Sequence, residues 1–347
     1  MPEAQLPGDR ADRAPGSASR FSPGVALILG LLLIAAVLAS LSLGRYPIPL
    51  GSLVARIFGV PFDSERMEAV FFNVRAPRIV MACLVGASLA AAGASYQGVF
   101  QNPLASPDIL GASSGAATGA TLAILLRLPG YLITLFAFCA SLITIMLVMF
   151  VGNRARGKKI VGLILAGLMI SSLLSAVNSF MKLVADPNKV LPEIVYWLMG
   201  SLAKTKPGDI RFVIIPMALG MTPLLVFRWR INLLTLSEEE AQSMGVNVRS
   251  TRALVIVCST LVTAAAVSVS GIIGWAGLVI PHLTRRLVGN NYQELMPVSM
   301  IFGALFLLLI DNVSRNLFAT EIPLGILTSL VGAPFFLWLI TRRGELW

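Results

Sequence analysis

Residues 102–119 read NPLASPDILGASSGAATG, and the interpretation of the whole chain starts from this stretch. It is a polar turn, broken by two prolines, that leads directly into an apolar segment. Pro103 and Pro107 exclude a continuous helix through the turn, because proline lacks an amide hydrogen and restricts the residue before it. Asp108, directly after the second proline, is predicted to cap a new helix.

The helix predicted after the turn carries a glycine at every fourth position. Gly111, Gly115 and Gly119 share one face of it, because residues four apart lie above one another on an α-helix. In a membrane, such a face lets the backbone of a second helix approach closely. The glycines alone favour ordinary helix packing, so a functional interpretation depends on the motifs around them.

The composition is typical of a membrane protein. Of the 347 residues, 56% are hydrophobic and 13% are charged, whereas soluble domains are about half apolar and about a quarter charged. The formal net charge is +10, and the basic residues cluster at the ends of apolar runs, which indicates orientation in a bilayer rather than nucleic-acid binding. The three cysteines and the single histidine fit no metal-site spacing, so no metal site is predicted.

Apolar runs close to membrane length recur along the chain and predict an all-α, multi-pass membrane protein with ten spans. The spans are placed at 25–43, 79–100, from the turn to 126, 131–151, 161–183, 212–227, 253–269, 278–283, 297–310 and 324–340. Residues 1–22 are polar and predict a disordered cytoplasmic tail before a ten-helix domain at 23–343. An even number of spans puts both termini on one side, and the Lys and Arg distribution weakly favours the cytoplasm.

A near-match to a phosphate-binding loop occurs at 152–159, where the chain reads GNRARGKK. That pattern requires a serine or threonine after the lysine, to bind magnesium, and it follows a strand. Here Lys159 stands at the hydroxyl position and a membrane span precedes the segment. The segment is therefore interpreted as a basic cytoplasmic loop, and no nucleotide site is predicted in this chain.

The fifth predicted span carries a polar stripe. Ser171, Ser175 and Asn178 are placed on one face of its helix. Polar side chains in a membrane helix either form hydrogen bonds to neighbouring helices or line a hydrated pathway. The sequence leaves both alternatives open, and the three residues are candidates for lining a pathway.

A short surface helix is predicted between the sixth and seventh spans. Ser237 and Glu240 form a capping box, in which each side chain accepts a hydrogen bond from the backbone amide of the other residue. The acidic residues at 238–240 also suit the positive end of the helix dipole. Gly245 provides a stop, so the helix is predicted at 238–244, outside the bilayer.

Several motifs, in this order along the chain, resemble those of one family. They are RAPR at 75–78, QGVFQNPLA at 97–105 with Pro107 and LGASSGA at 110–116, LAG at 165–167, YWLMGSL at 196–202, AQSMG at 241–245, GWAGLVIPH at 274–282, and EIPLG at 321–325 with GAP at 332–334. Together they cover residues 45–343. The set is similar to the membrane permeases of type II ABC importers, the iron–siderophore, haem and vitamin B12 permease family.

The resemblance implies a homodimer in membrane lipid, with ten helices per subunit. It implies two cytoplasmic ABC ATPase subunits and an extracytoplasmic substrate-binding protein as partners. ATP and magnesium would be bound by the ATPase, so this chain is expected to hold no cofactor and to contain no catalytic residue. The expected location is the bacterial inner membrane, with both termini in the cytoplasm.

The resemblance implies roles for three sets of residues. Asn102 and Leu104 match the cytoplasmic gate of the family. Arg75, Arg78 and Arg315 match arginines that the family offers to glutamates of the binding protein, and the planar guanidinium group suits a carboxylate. The segment at 237–248 matches the coupling segment that docks into the ATPase, through Ser237, Glu238, Glu239, Glu240, Ala241, Met244 and Gly245.

The expected function is import of an iron chelate, of the siderophore or haem type, by alternating access along the dimer interface. Cobalamin import by the same family is the first alternative. An ion-driven secondary transporter is a second alternative, but such carriers usually need an ionisable residue inside the membrane, and Asp311 and Glu321 are predicted near the ends of spans. A membrane enzyme would need a nucleophile or metal cluster that the sequence does not offer.

Overall fold

The computed structural model describes residues 23–44, 46–62, 64–155 and 159–342, and every regular element in these ranges is helical. The all-α class is therefore confirmed, while the predicted tail at 1–22 lies outside the described residues. In chain order the helices are α1 (Pro23–Ser42), α2 (Leu50–Ile57), α3 (Glu65–Val70), α4 (Ala76–Val99), α5 (Ala112–Leu125), α6 (Gly130–Arg154), α7 (Lys159–Val184), α8 (Val190–Leu198), α9 (Pro207–Val226), α10 (Arg228–Leu234), α11 (Glu238–Ser243), α12 (Val248–Ser270), α13 (Ala276–Val288), α14 (Tyr292–Asn316) and α15 (Leu324–Arg342).

Seven helical segments of the described chain are long and apolar enough to cross a membrane. They are α1, the continuous segment Glu65–Val99, α6, α7, α9, α12 and α14. Two shorter apolar helices, Ala112–Leu125 and Leu324–Trp338, and the 13-residue helix α13 occupy the other predicted positions. The chain is thus a multi-pass helical membrane protein, and the number of ten spans stays a prediction.

The helix at the second predicted span begins earlier than the sequence suggested. Residues 44–74 lie between the first two predicted spans, because charged residues interrupt the apolar run there. The hydroxyl of Ser64 instead caps a helix that continues to the end of α4. A π-helical segment joins α3 to α4, where the amide of Ala76 bonds to the carbonyl of Phe71. This wider turn directly precedes Pro77, which has no amide hydrogen to continue the regular pattern.

Helix α4 lies at the centre of the structure, and most of its residues are buried. It runs antiparallel to α14, and Gly86 faces Gly303 so closely that a methyl group on either residue would overlap the carbonyl of the other. Gly93 approaches the carbonyl of Gly277 in α13 in the same way. Close backbone packing of this kind is how helices associate in lipid, where no hydrophobic force drives them together. We call the end of the bundle where α4 begins the upper end, and the other the lower end.

The predicted glycine face of α5 lies against α6. A methyl group on Gly115 would meet the carbonyl of Ala140, and one on Gly119 would overlap the carbonyl of Phe136. The predicted close approach of a second backbone is confirmed for Gly115 and Gly119, whereas Gly111 precedes α5 and lies beside Ser171 of α7. The second backbone belongs to the same chain, so the face serves helix packing.

The prediction that Asp108 caps α5 is wrong. Gly111 occupies the cap position, with a φ of 77°, a left-handed conformation that glycine adopts without steric cost. Asp108 lies one turn earlier, in a 3-10 turn that begins at Pro107, because proline with its fixed φ suits the first position of a helical turn. The Asp108 carboxylate accepts a hydrogen bond from the hydroxyl of Ser113 in the first turn of α5.

A buried ionic cluster joins α4 to α14 at the upper end. The Nε atom of Arg78 donates to Asp311 at 2.9 Å, and its two terminal nitrogens donate to Glu321 at 3.0 Å each. Asp311 is fully buried, and Arg78 is 5% exposed. Arg315, one helical turn after Asp311, lies 4.0 Å from the same carboxylate. The two acids that the sequence placed near span ends are therefore both paired with Arg78.

We predict that Gly93→Ala destabilises the protein by about 1–3 kcal/mol, because the added methyl group overpacks the contact with α13. Gly30→Ala is the matched control, since a methyl group there meets nothing within 4 Å. Unfolding in mixed micelles with increasing SDS measures both variants. Equal stability of the two variants would contradict the close approach of α4 and α13.

We predict that Arg78→Ala destabilises the fold by about 3–5 kcal/mol, because it leaves the buried Asp311 carboxylate without its main partner. Arg56→Ala removes a pair with Glu68 whose side chains are 31% and 45% exposed, and such a pair contributes only about 0–1 kcal/mol. The same unfolding measurement compares the two variants. A similar small loss in both would show that the cluster does not hold α4 to α14.

Candidate gate and coupling site

The turn after α4 is closed by its own polar groups at the lower end. The Asn102 side-chain oxygen accepts a hydrogen bond from the amide of Leu104 at 2.8 Å, and its carbonyl accepts one from Ala105 at 3.0 Å. The Leu104 side chain is 39% exposed. The two residues predicted to form a gate therefore form one compact turn that presents an apolar side chain at the lower end. Their gating role stays a prediction.

Helix α11 forms where the capping box predicted it. The Ser237 hydroxyl accepts from the amide of Glu240 at 3.3 Å, and the Glu240 carboxylate accepts from the amide of Ser237 at 3.2 Å. Ala241 is 1% exposed and fixes the helix on the bundle, whereas Met244, directly after the helix, is 62% exposed. Gly245 then adopts a φ of 79° and ends the turn. The result is a short rigid helix with one exposed apolar side chain.

Two further contacts hold α11 in place. Arg252 in the first turns of α12 lies 3.2 Å from the carboxylate of Glu238. The side-chain amide of Gln101 donates to the carbonyls of Leu234 and Leu236, at 2.9 and 3.1 Å, immediately before the α11 cap. The turn after α4 and the segment that leads into α11 are thus in direct contact. No pattern in the sequence indicated this contact, because the partners are more than 130 residues apart.

A polar network closes the lower end around α4. Arg285 of α13 donates to the Gln97 side chain and, at 3.0 Å, to the Tyr292 hydroxyl. Asn232 of α10 accepts from the amide of Tyr292 at 2.7 Å and donates to Asn291 at 2.8 Å. The network joins α4, α10, α13 and the start of α14. Sequence reasoning missed it, because each member alone resembles an ordinary helix-end residue.

The polar stripe on α7 divides between two environments. The Asn178 side chain is 8% exposed and donates to the hydroxyl of Thr118 in α5 at 2.9 Å. Ser171 is partly buried, and its hydroxyl lies beside Gly111. Ser175 is exposed. Interhelical hydrogen bonding is therefore observed for Asn178, and of the three residues only Ser175 lies on the uncovered face of α7.

The three arginines expected to meet a binding protein are not presented at the surface. Arg75, Arg78 and Arg315 lie at the upper end, but they are only 4%, 5% and 7% exposed. Arg75 donates to the backbone carbonyls of Leu41 and Ser42, the last two residues of α1, and Arg315 donates to Ser40 at 2.6 Å. Sequence alone could not reveal these partners, because they come from distant parts of the chain.

The segment that nearly matches a phosphate-binding loop begins inside helix α6. Gly152 and Arg154 belong to the last turn of α6, and residues 156–158 lie outside the described ranges. Among the described residues, no group of three His, Cys, Asp or Glu side chains could hold a metal ion.

Comparisons with known proteins place this arrangement in a family. The model of the FecCD transport family matches residues 32–342. Over 318 residues the chain is 41% identical to the molybdate import system permease protein MolB of Haemophilus influenzae, covering 90% of this chain and 94% of that protein. It is 42% identical over 280 residues to an iron chelatin transport system permease protein of Helicobacter pylori, covering 81% of this chain and 85% of that protein.

A solved structure agrees with the whole fold. The chain superposes with a TM-score of 0.84 and 41% identity on a transporter described as being of the metal-chelate ABC type, in an inward-facing conformation. The match covers 92% of this chain and all of the other. The resemblance inferred from the motifs is confirmed. The chain belongs to the FecCD transport family and is an ABC-type permease.

Proposed function

We propose that this chain is the membrane permease of an ATP-driven importer for an iron chelate, working by alternating access as one half of a homodimer. The similarity to the FecCD family and to an iron chelatin permease supports the proposed substrate class. The observation that carries the proposed mechanism is the contact at the lower end between Gln101, directly before the turn at 102–104, and the segment leading into α11. A partner that moves α11 would act on this turn directly. The ATP would be hydrolysed by a separate ABC ATPase.

Helix α11 has the properties of a docking element for such an ATPase. Its N-terminal end is fixed by the capping box, and Ala241 anchors it on the bundle. Met244 and Leu236 expose apolar side chains on either side of it, at 62% and 38%. A rigid helix of this kind transmits the displacement of a bound partner to the elements that it joins.

The uncovered face of α7 supports a homodimer. Within one chain, only 17% of the most apolar stretch of α7 is buried. Its exposed residues include the hydroxyls of Ser172, Ser175 and Ser179 among apolar side chains, and polar groups in membrane helices usually face other helices or a hydrated cavity. We place the second copy, and the transport pathway between the copies, against this face, with Ser175 lining the pathway.

The positions of the chain ends support a cytoplasmic lower end. Helix α1 finishes at the upper end, where Ser40 contacts Arg315, so it begins at the lower end. Helix α15 begins shortly after Glu321, which bonds to Arg78 at the upper end, so it finishes at the lower end. Both ends of the described chain therefore lie on the side of α11, as expected for two cytoplasmic termini in an inner-membrane permease with ten spans.

The binding protein would dock at the upper end. Three guanidinium groups lie near two carboxylates there. Arg78 and Arg315 pair with Asp311, and Arg78 also pairs with Glu321. Arg75 lies beside them and bonds to backbone carbonyls. The excess positive charge attracts a partner with acidic surface residues. In this arrangement the buried arginines attract the binding protein through their electrostatic potential and hold the shape of the upper end, without direct contact.

Import of molybdate is the second candidate function. It is favoured by the match to a molybdate permease over 90% of the chain.

The test of both candidate functions is an uptake measurement with proteoliposomes that contain this chain, its ATPase and its binding protein. Ferric siderophores, haem, cobalamin and molybdate are offered in parallel. We expect ATP-dependent uptake of a ferric chelate and no ATPase activity from the permease alone. Uptake of molybdate alone would favour the second candidate, and ATP-independent uptake would contradict an ATP-driven importer.

We predict that Met244→Pro abolishes transport while the chain still inserts. The Met244 amide donates to the Glu240 carbonyl at 3.2 Å, and proline removes that donor and clashes with the preceding turn. Met244→Leu, which keeps the amide and the apolar side chain, is the control and is expected to transport normally. Uptake and ATP hydrolysis in the same vesicles measure the effect. Unchanged uptake by the proline variant would contradict the coupling role of α11.

A further inference from the structure

Gln101 has a backbone conformation that few residues other than glycine adopt. Its φ is 49°, in the left-handed region. This conformation turns the chain out of α4, and the next amide, that of Asn102, bonds back to the carbonyl of Gln97 at 3.1 Å. The Gln101 side chain consequently points away from the turn at 102–104, towards α10 and α11.

The Gln101 side chain donates both of its amide hydrogens to carbonyls at the end of α10 and directly after it. Its nitrogen donates to the carbonyl of Leu234, the last residue of α10, at 2.9 Å, and to that of Leu236 at 3.1 Å. The last carbonyls of a helix have no partner within the helix, so this amide satisfies groups that would otherwise need water. Two hydrogens and two acceptors match the capacity of a primary amide.

The Gln101 contact connects the segment before α11 with the turn at 102–104. The proposed function requires α11 and this turn to move together. Leu236 is followed directly by Ser237, the cap of α11. Gln101 is followed directly by Asn102, which closes the turn through its bond to Leu104. Beside it, Gly98 of α4 packs against the buried Ile231 of α10, so α10 rests on the end of α4.

We propose that Gln101 is the positioning residue that transmits the displacement of α11 to the turn at 102–104, an inference that rests on the proposed function. The link needs a hydrogen-bond donor at this position. Gln101→Lys supplies donors only and is expected to keep the link. Gln101→Glu has almost the shape of glutamine, but its carboxylate only accepts hydrogen bonds and repels the two carbonyls, so it breaks the link.

The first experiment needs no transport activity. Hydrogen exchange at the amides of Leu104 and Ala105 is measured in the isolated chain, with and without Ser237→Ala, which removes the cap of α11. We expect loosening of α11 to raise exchange at these amides at least five-fold when residue 101 is Gln or Lys, and less than two-fold when it is Glu. Equal responses in all three backgrounds would overturn the inference, whatever the chain transports.

The second experiment measures uptake per ATP hydrolysed in the reconstituted complex. We expect Gln101→Glu to lower this ratio at least ten-fold and Gln101→Lys to lower it less than three-fold. Gln293→Glu, the same change at an exposed position of the lower end, is the control and should match the wild type. An unchanged ratio in Gln101→Glu would overturn the inference. Absence of ATP-driven uptake by the wild type would instead refute the proposed function, and the exchange experiment would still decide the role of Gln101.

Discussion

Close backbone contact along α4 is the constraint on which the rest of the structure depends. Lipid provides no hydrophobic force between helices, so association requires van der Waals packing that only small residues permit. Gly86 and Gly93 bring the backbones of α14 and α13 against α4. The glycine face of α5 does the same for α6. These contacts form a close-packed frame, with the ionic cluster at its upper end and the polar network at its lower end.

The ionic cluster and the polar network lie at opposite ends of this frame and serve different purposes. At the upper end, Arg78 and Asp311 join α4 to α14 in a buried ion pair, which is stable only while both partners are present. At the lower end, Arg285 and Asn232 belong to a network of mostly neutral side chains. Neutral hydrogen bonds can be exchanged at a smaller free-energy cost than a buried ion pair, which suits the movement of this end in the proposed function.

The lower end also explains how a separate ATPase could drive this chain. Helix α11 is too short to be stable alone, and its capping box and the buried Ala241 hold it in one orientation. The side chain of Gln101 connects its entry segment to the turn after α4. In the proposed function, a displacement of α11 by the ATPase would reach the end of α4 through this side chain and through the packing of Ile231 against Gly98.

The sequence by itself determined the features that depend on neighbouring residues: the all-α class, the capping box at Ser237 and the close-packing face on α5. Each follows from spacing along one helix. The tertiary structure alone decided which charges and amides meet. Arg78 finds Asp311 from 233 positions away, and this pairing buries an arginine that its position in the sequence suggested was exposed. Gln101 gained its partners in the same way. Local spacing specifies the elements, but burial and hydrogen-bond partners are set only when distant helices pack.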